Sequence, residues 1–222
     1  MKKGIIFLIT IIIIFSSLIG VISSFNKVKN SNTDSEKIKV IATIFPQYDF
    51  AKQIGGDKVE VNLLLTPGTE THSYEPTPQD IINVNKSNLF IYTGENMEPW
   101  ADKIASGIDS DTVILDASKN ISLKKTEHHE EDEEEEEEEE HHHEHEHEYD
   151  PHIWLDPQNA IVMVNNIEEE LCNIDPENKE YYSKNAENYI RELTALDEDI
   201  QNTIESSKTN KVAFGGAFAY MY

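Results

Sequence analysis

Lys39-Val40-Ile41-Ala42-Thr43-Ile44-Phe45 is β-branched and almost wholly apolar, the composition of a strand covered on both faces by helices. Pro46 then opens a short helical pattern through Phe50 and Ile54, which Gly55-Gly56 stops. The alternation repeats. Residues 59–65 read as a second strand, closed by the turn Thr66-Pro67-Gly68, and Thr77-Pro78-Gln79-Asp80 sets an N-cap and a first-turn proline for a helix running to about Ser87. Residues 88–92 form a third strand in this reading. Residues 95–107 follow as a helix with Trp100 and Ile104 on one face, and residues 112–115 as a fourth strand. Strands and helices alternating at this spacing predict an α/β fold of parallel βαβ units. In open sheets of that kind ligands collect beyond the carboxyl ends of the strands. The loop after the second strand, Thr69-Glu70-Thr71-His72-Ser73-Tyr74-Glu75-Pro76, places His72 there.

Further along stands Asp150-Pro151-His152-Ile153-Trp154-Leu155-Asp156-Pro157. Prolines fix φ and bias the residues before them towards extended conformations, so His152 is expected on a stiff backbone. A ligand held stiffly has met its ordering cost before the metal arrives. Asp156-Pro157 caps a helix over residues 158–173 with Val164, Ile167 and Leu171 on one face, and Asp175-Pro176 starts the longest helix. The apolar positions of that last helix, Tyr182, Ala186, Tyr189, Leu193, Leu196, Ile200 and Ile204, make one stripe, enough to link two lobes at ~1.5 Å per residue. Residues 211–214 read as the start of a new strand, and the sequence stops soon after, at Tyr222. The expected organisation is residues 1–24 as a signal peptide or N-terminal membrane anchor, 39–118 as a first α/β lobe and 119–149 as an acidic, His-rich disordered insertion. Residues 150–174 then carry the metal motif and its helix, 175–208 the linking helix, and 209–222 the beginning of a second lobe that is expected to be incomplete.

The formal net charge of −25 turns away nucleic acid and anionic membranes and favours cations. Much of it is local. Residues 127–148 consist only of fifteen acids and seven histidines, leaving 28 acids against 18 bases elsewhere. Lys2 and Lys3 precede an apolar run ending near Ile22, longer than an ordinary signal-peptide core of ~7–15 residues and near the ~18 that can span a bilayer. Cleavage near Ser23 or Ser24 and retention as an anchor both stay open, and either puts the remainder outside the cytoplasm, in the periplasm or on the outer face of the membrane. No cysteine near this segment offers a lipid-attachment site. The single Cys172 excludes an intrachain disulfide and reads as a small buried apolar side chain. No expected helix carries an H-E-x-x-H motif, the only such string being His143 to His147 inside the His/acid tract, and no nucleophile triad is found, so no enzyme is expected.

The nine histidines divide into His72, His152 and the tract residues His128, His129, His141, His142, His143, His145 and His147. Imidazoles suit Zn²⁺, which takes about four N, S or O ligands. The bland alternatives are a surface histidine at 72, a hydrogen-bonded core histidine at 152 and a solvated spacer for the tract. Flexible histidines among carboxylates make many low-order, pH-dependent sites, so the tract reads as an accessory, low-affinity zinc collector or sensor. The loop T-P-G-T-E-T-H-S-Y-E-P-T-P-Q-D, G-E-N-M-E-P-W over Gly94 to Trp100, D-P-H-I-W-L-D-P and N-A-E-N-Y over Asn185 to Tyr189 together resemble the solute-binding proteins of zinc and manganese ABC importers, two lobes joined by a rigid helix. The resemblance implies His72 and His152 as metal ligands in the cleft, the zinc-handling branch with Mn²⁺ as the second candidate ion, and delivery to an ABC permease driven by a cytoplasmic ATPase. It also implies a third ligand where Gly215 stands, which cannot ligate through a side chain, and a late carboxylate beyond Tyr222. A secreted or anchored metal buffer without a transporter is the competing function.

Overall fold

The computed structural model describes residues 37–109, 111–125 and 149–209. Four strands, β1 (Ile38–Ala42), β2 (Val59–Leu63), β3 (Leu89–Tyr92) and β4 (Val113–Asp116), form one sheet in the order β2-β1-β3-β4, every neighbouring pair parallel. The pleat sends alternate side chains to opposite faces. Val40, Ala42, Leu89 and Ile91 meet one apolar core, while Ile41, Phe90 and Tyr92 meet the other. Both faces are covered, which is why the central strands lack the polar-apolar alternation of a one-sided sheet. The expected α/β fold of parallel units is the fold observed.

Three helices cover the first face: α1 (Phe45–Gly55), α4 (Pro157–Ile174) and α5 (Lys179–Glu205). Ala160, Met163, Val164, Ile167 and Leu171 line the buried side of α4, with Tyr182, Ala186 and Leu193 of α5 packed behind them. Two short helices, α2 (Pro78–Val84) and α3 (Ala101–Ser106), lie on the second face, where Val84, Trp100 and Ile104 are buried. Start signals behave as the sequence suggests. Thr77 accepts from the Asp80 N–H while the Asp80 carboxylate accepts from Thr77, a capping box that fixes the exit of the His72 loop. Asp156 accepts from the Gln158 N–H at 2.8 Å at the start of α4. Gly56 stops α1 with φ of +53°, and a Cβ there would lie 2.2 Å from the Tyr181 hydroxyl, so the position needs glycine twice over.

Three differences from the sequence reading have physical causes. The helix expected over 95–107 begins only at Ala101, because Glu98 turns into the core and Pro99 disfavours helical geometry just before it. The helix expected from Pro176 starts as a single 3₁₀ turn, Pro176–Asn178, and becomes α-helical at Lys179. The apolar stripe of α5 is buried only in its first half: Leu196 and Ile204 are exposed, and Asp197 is buried instead, held by Gln158 Nε2 at 2.6 Å. Cys172 is buried and not in a disulfide. Residues 119–125 and Tyr149 form no regular element beyond one antiparallel bridge between Lys125 and Tyr149. The N-terminal segment, the acidic tract and the strand expected at 211–214 lie outside the described residues. Among the described residues no helix is long and apolar enough to cross a membrane.

Candidate metal centre

His72 sits in the loop that leaves the carboxyl end of β2, and His152 begins the 3₁₀ turn Ile153–Leu155 that leads into α4. Eighty residues apart in sequence, the two rings come together with centroids 6.0 Å apart and planes at 78°. A tetrahedral zinc with Zn–N of 2.0–2.1 Å would hold two imidazole centroids about 5.2 Å apart, so closing on one ion needs a shift of under about 1 Å. The pair therefore fits a single small cation. Among the described residues no three His, Cys, Asp or Glu side chains cluster as a complete metal set. Two imidazoles alone would make an open half-site.

Each histidine is shaped by a carboxylate two residues before it. The Asp150 side chain is only 1% exposed, and its Oδ1 accepts from the His152 backbone N–H at 2.9 Å and lies 2.7 Å from His152 Nδ1. With Nδ1 turned to that carboxylate, the neutral ring donates there and carries no proton on Nε2, the arrangement by which a carboxylate orients a metal-binding histidine. On the other loop, Glu70 accepts from the His72 N–H at 3.1 Å, and from the Ser73 N–H and hydroxyl at 2.7 and 2.6 Å. Partial burial works to raise the Glu70 pKa, but the Ser73 and His72 hydrogen bonds outweigh it and bring it down to about 2. Glu70 thus stays ionised as a brace for the turn. Glu75 and Glu95 remain outside the ligand pair, as does Glu70.

The apolar surroundings complete the setting. Trp154 meets the His152 ring edge-on at 5.5 Å, and an open groove of about 440 Å³ beside it is lined by Phe45, Leu65, Pro67, Met97 and Trp154. The Trp100 indole donates to the Thr71 carbonyl at 2.7 Å, next to His72. At the back of the site the Asp150 N–H donates to the Lys124 carbonyl at 2.9 Å, and Lys125 pairs with Tyr149. Lys125 and Tyr149, the described residues on either side of the acidic tract, therefore meet beside Asp150, whereas the accessory histidines lie outside the described residues, as does Gly215.

Residues 40–222 match the family described as zinc-uptake complex component A, periplasmic, or ZnuA. The chain belongs to the ZnuA family. Among curated relatives, this ZnuA-family chain is 40% identical over 194 residues to the high-affinity zinc uptake system protein ZnuA of Bacillus subtilis, covering 84% of the chain and 59% of the relative. It is 35% identical to the zinc-binding lipoprotein AdcA of Streptococcus pneumoniae, over 86% of the chain and 38% of the relative. The chain thus spans between about two fifths and three fifths of the lengths of these two relatives. The crystal structure of the metal-dependent lipoprotein YcdH from Bacillus subtilis superposes with a TM-score of 0.66 at 36% identity, covering 78% of this chain and 57% of that one. Zn(II)-bound AdcA from Streptococcus pneumoniae gives 0.65 at 32% identity, over 78% of this chain and 34% of that one. Membership of a family described as periplasmic agrees with the expected export.

Asp150, Trp100 and Glu98 have no part in the sequence reading of the ligands, in which Glu70, Glu75 and Glu95 count as solvated loop carboxylates. Asp150 was visible as the acid two positions before His152, the spacing of an Asx-type turn, and Glu70 stands in the same relation to His72. Trp100 and Glu98 lie in the G-E-N-M-E-P-W stretch, but nothing along the sequence points them at residue 71 or at the strand ends.

Proposed function

We propose that the chain is the metal-receiving part of an extracytoplasmic solute-binding protein that binds Zn²⁺ through His72 and His152 and passes it to the permease and ATPase of an ABC importer. The observation that carries this reading is the convergence of the two rings with Asp150 directly behind one of them. Paired imidazoles suit zinc, whereas manganese prefers carboxylate and other oxygen donors; the relatives named as zinc-binding and zinc-uptake proteins support the same ion. An open pair also suits a carrier, since release to a permease is easier from a site whose remaining positions are exchangeable. Water, a tract histidine or a residue outside the described part of the chain supplies the rest of the shell. His128, His129, His141, His142, His143, His145 and His147 act as weaker accessory sites that raise zinc concentration where the tract begins and ends, next to Asp150.

The test is a zinc titration by competition with a chromophoric chelator, repeated against Mn²⁺. His72→Ala and His152→Ala should each remove the tightest site, and zinc should win over manganese in the parent protein. Tight binding that survives both substitutions together would overturn the ligand pair. Deleting residues 127–148 should lower the number of bound zinc ions while leaving the tightest site in place; an unchanged stoichiometry would remove the tract from the function.

A further inference from the structure

Two deeply buried polar side chains lie between β3 and α3 and take no part in the ligand pair. Glu98 is fully buried, its carboxylate accepting from the Thr43 hydroxyl and from the Thr93 N–H at 2.6 Å. Thr43 and Thr93 directly follow β1 and β3, so Glu98 ties its own turn to the carboxyl ends of both central strands. Gly94 lets the chain make that turn with φ of +104°, and its carbonyl accepts from the Met97 and Glu98 N–H groups at 3.2 and 3.0 Å. Two residues on, Trp100 is 5% exposed. Its indole N–H reaches the carbonyl of Thr71, the residue before His72, while its ring meets the edge of Tyr74, two residues after His72, at 5.0 Å between centroids. His72 is thus bracketed from both sides by one rigid side chain.

We propose that Trp100 is a positioning residue for metal binding: by holding the Thr71 carbonyl and the Tyr74 ring it sets where the His72 imidazole stands relative to His152, with Glu98 anchoring it to the sheet. The proposal rests on His72 being a ligand. A buried tryptophan serving the core alone would need only its ring; a buried indole N–H also requires an acceptor, and here that acceptor is the backbone of the binding loop, 29 residues earlier. The Glu70 bonds shape the turn locally, yet all of them stay within residues 70–73. Trp100 supplies a link from this turn towards the sheet, and a site loosened by about 1 Å is the usual result of losing such support. Residues that orient metal ligands from outside the shell are typically worth 10–100-fold in affinity.

Trp100→Phe keeps most of the ring and deletes the N–H, so it separates positioning from packing. Zinc affinity is measured by chelator competition for the parent protein, Trp100→Phe, His72→Ala and the double variant. Trp100→Phe should weaken binding about tenfold or more when His72 is present and change nothing further when residue 72 is alanine. An unchanged affinity, or an equal loss in both backgrounds, overturns the positioning role. If His72→Ala itself leaves the affinity intact, the ligand reading falls and takes the proposal with it, so the two failures are distinguishable. Should Trp100→Phe fail to fold, Trp154→Phe leaves Trp100 as the sole indole of a chain that has two. Its emission should then respond to zinc and lose that response with His72→Ala; emission unmoved by zinc overturns the proposal.

Discussion

Replacing Asp150 by asparagine removes one charge from behind His152 while keeping the shape of the side chain. In the parent, Asp150 Oδ1 receives the His152 N–H at 2.9 Å and lies 2.7 Å from Nδ1, with the carboxylate almost fully buried. A hydrogen bond to a charged group contributes about 1.5–3 kcal/mol and a neutral one about 0.5–1.5. The exchange should therefore weaken the hold on the ring by about 1–2 kcal/mol. Because that hold fixes the ring's orientation and keeps its proton on Nδ1, the loss should appear in zinc binding as a roughly 5–30-fold weaker affinity. Chelator competition at fixed pH measures it, with thermal unfolding of the metal-free protein confirming that the variant is folded. Zinc affinity within twofold of the parent would refute the argument that Asp150 prepares His152 for metal.

Zinc present at 100 times its dissociation constant should stabilise the folded protein by about 2.7 kcal/mol, seen as a rise in Tm that disappears in a His72→Ala, His152→Ala double variant. Glu98 should make stability fall with rising pH: burial pushes its pKa up to about 7, the Thr43 and Thr93 hydrogen bonds offsetting part of that and the Asp116 charge adding to it. Its contribution is then fully present below the unfolded value of 4.5 and is lost as pH climbs through about 7. Glu98→Gln should remove on the order of 3 kcal/mol of that pH dependence, and urea denaturation at pH 5 and pH 8 giving the same slope as the parent would count against it. Ile167→Ala should cost about 2–5 kcal/mol in the same assay, since the side chain is fully buried in the core on the first face of the sheet.

The sheet was legible because its information is local. The almost wholly apolar run at residues 39–45 suits a strand covered twice, and Val40 and Ile41 do face different cores, although the strand ends at Ala42 and an exposed Phe45 already opens α1. The cap at Thr77 and the proline at 78 placed α2 for the same reason. Where tertiary contacts decide, local pattern fails. Leu196 and Ile204 continue the spacing of α5 yet are exposed, and the side chain actually taken inside is Asp197, because Gln158 offers it a partner. A lone carboxylate in line with Ala186 and Leu193 was the available sign. At the centre itself the two histidines were legible from the loop position of one and the prolines around the other. The hydrogen bond from Trp100 to residue 71 was not, since no periodicity connects two loops on different strands.

The bridge between Lys125 and Tyr149, backed by the bond from the Asp150 N–H to the Lys124 carbonyl, joins the two described positions between which the acidic tract is inserted. Whatever lies between those points enters and leaves the fold at one place, so its length is decoupled from the architecture below. Doubling a segment with pinned ends costs only about 0.6 kcal/mol of closure entropy. Residues can accordingly be inserted or removed in that interval as readily as beads on a closed thread, while the scaffold carrying His152 stays as it is.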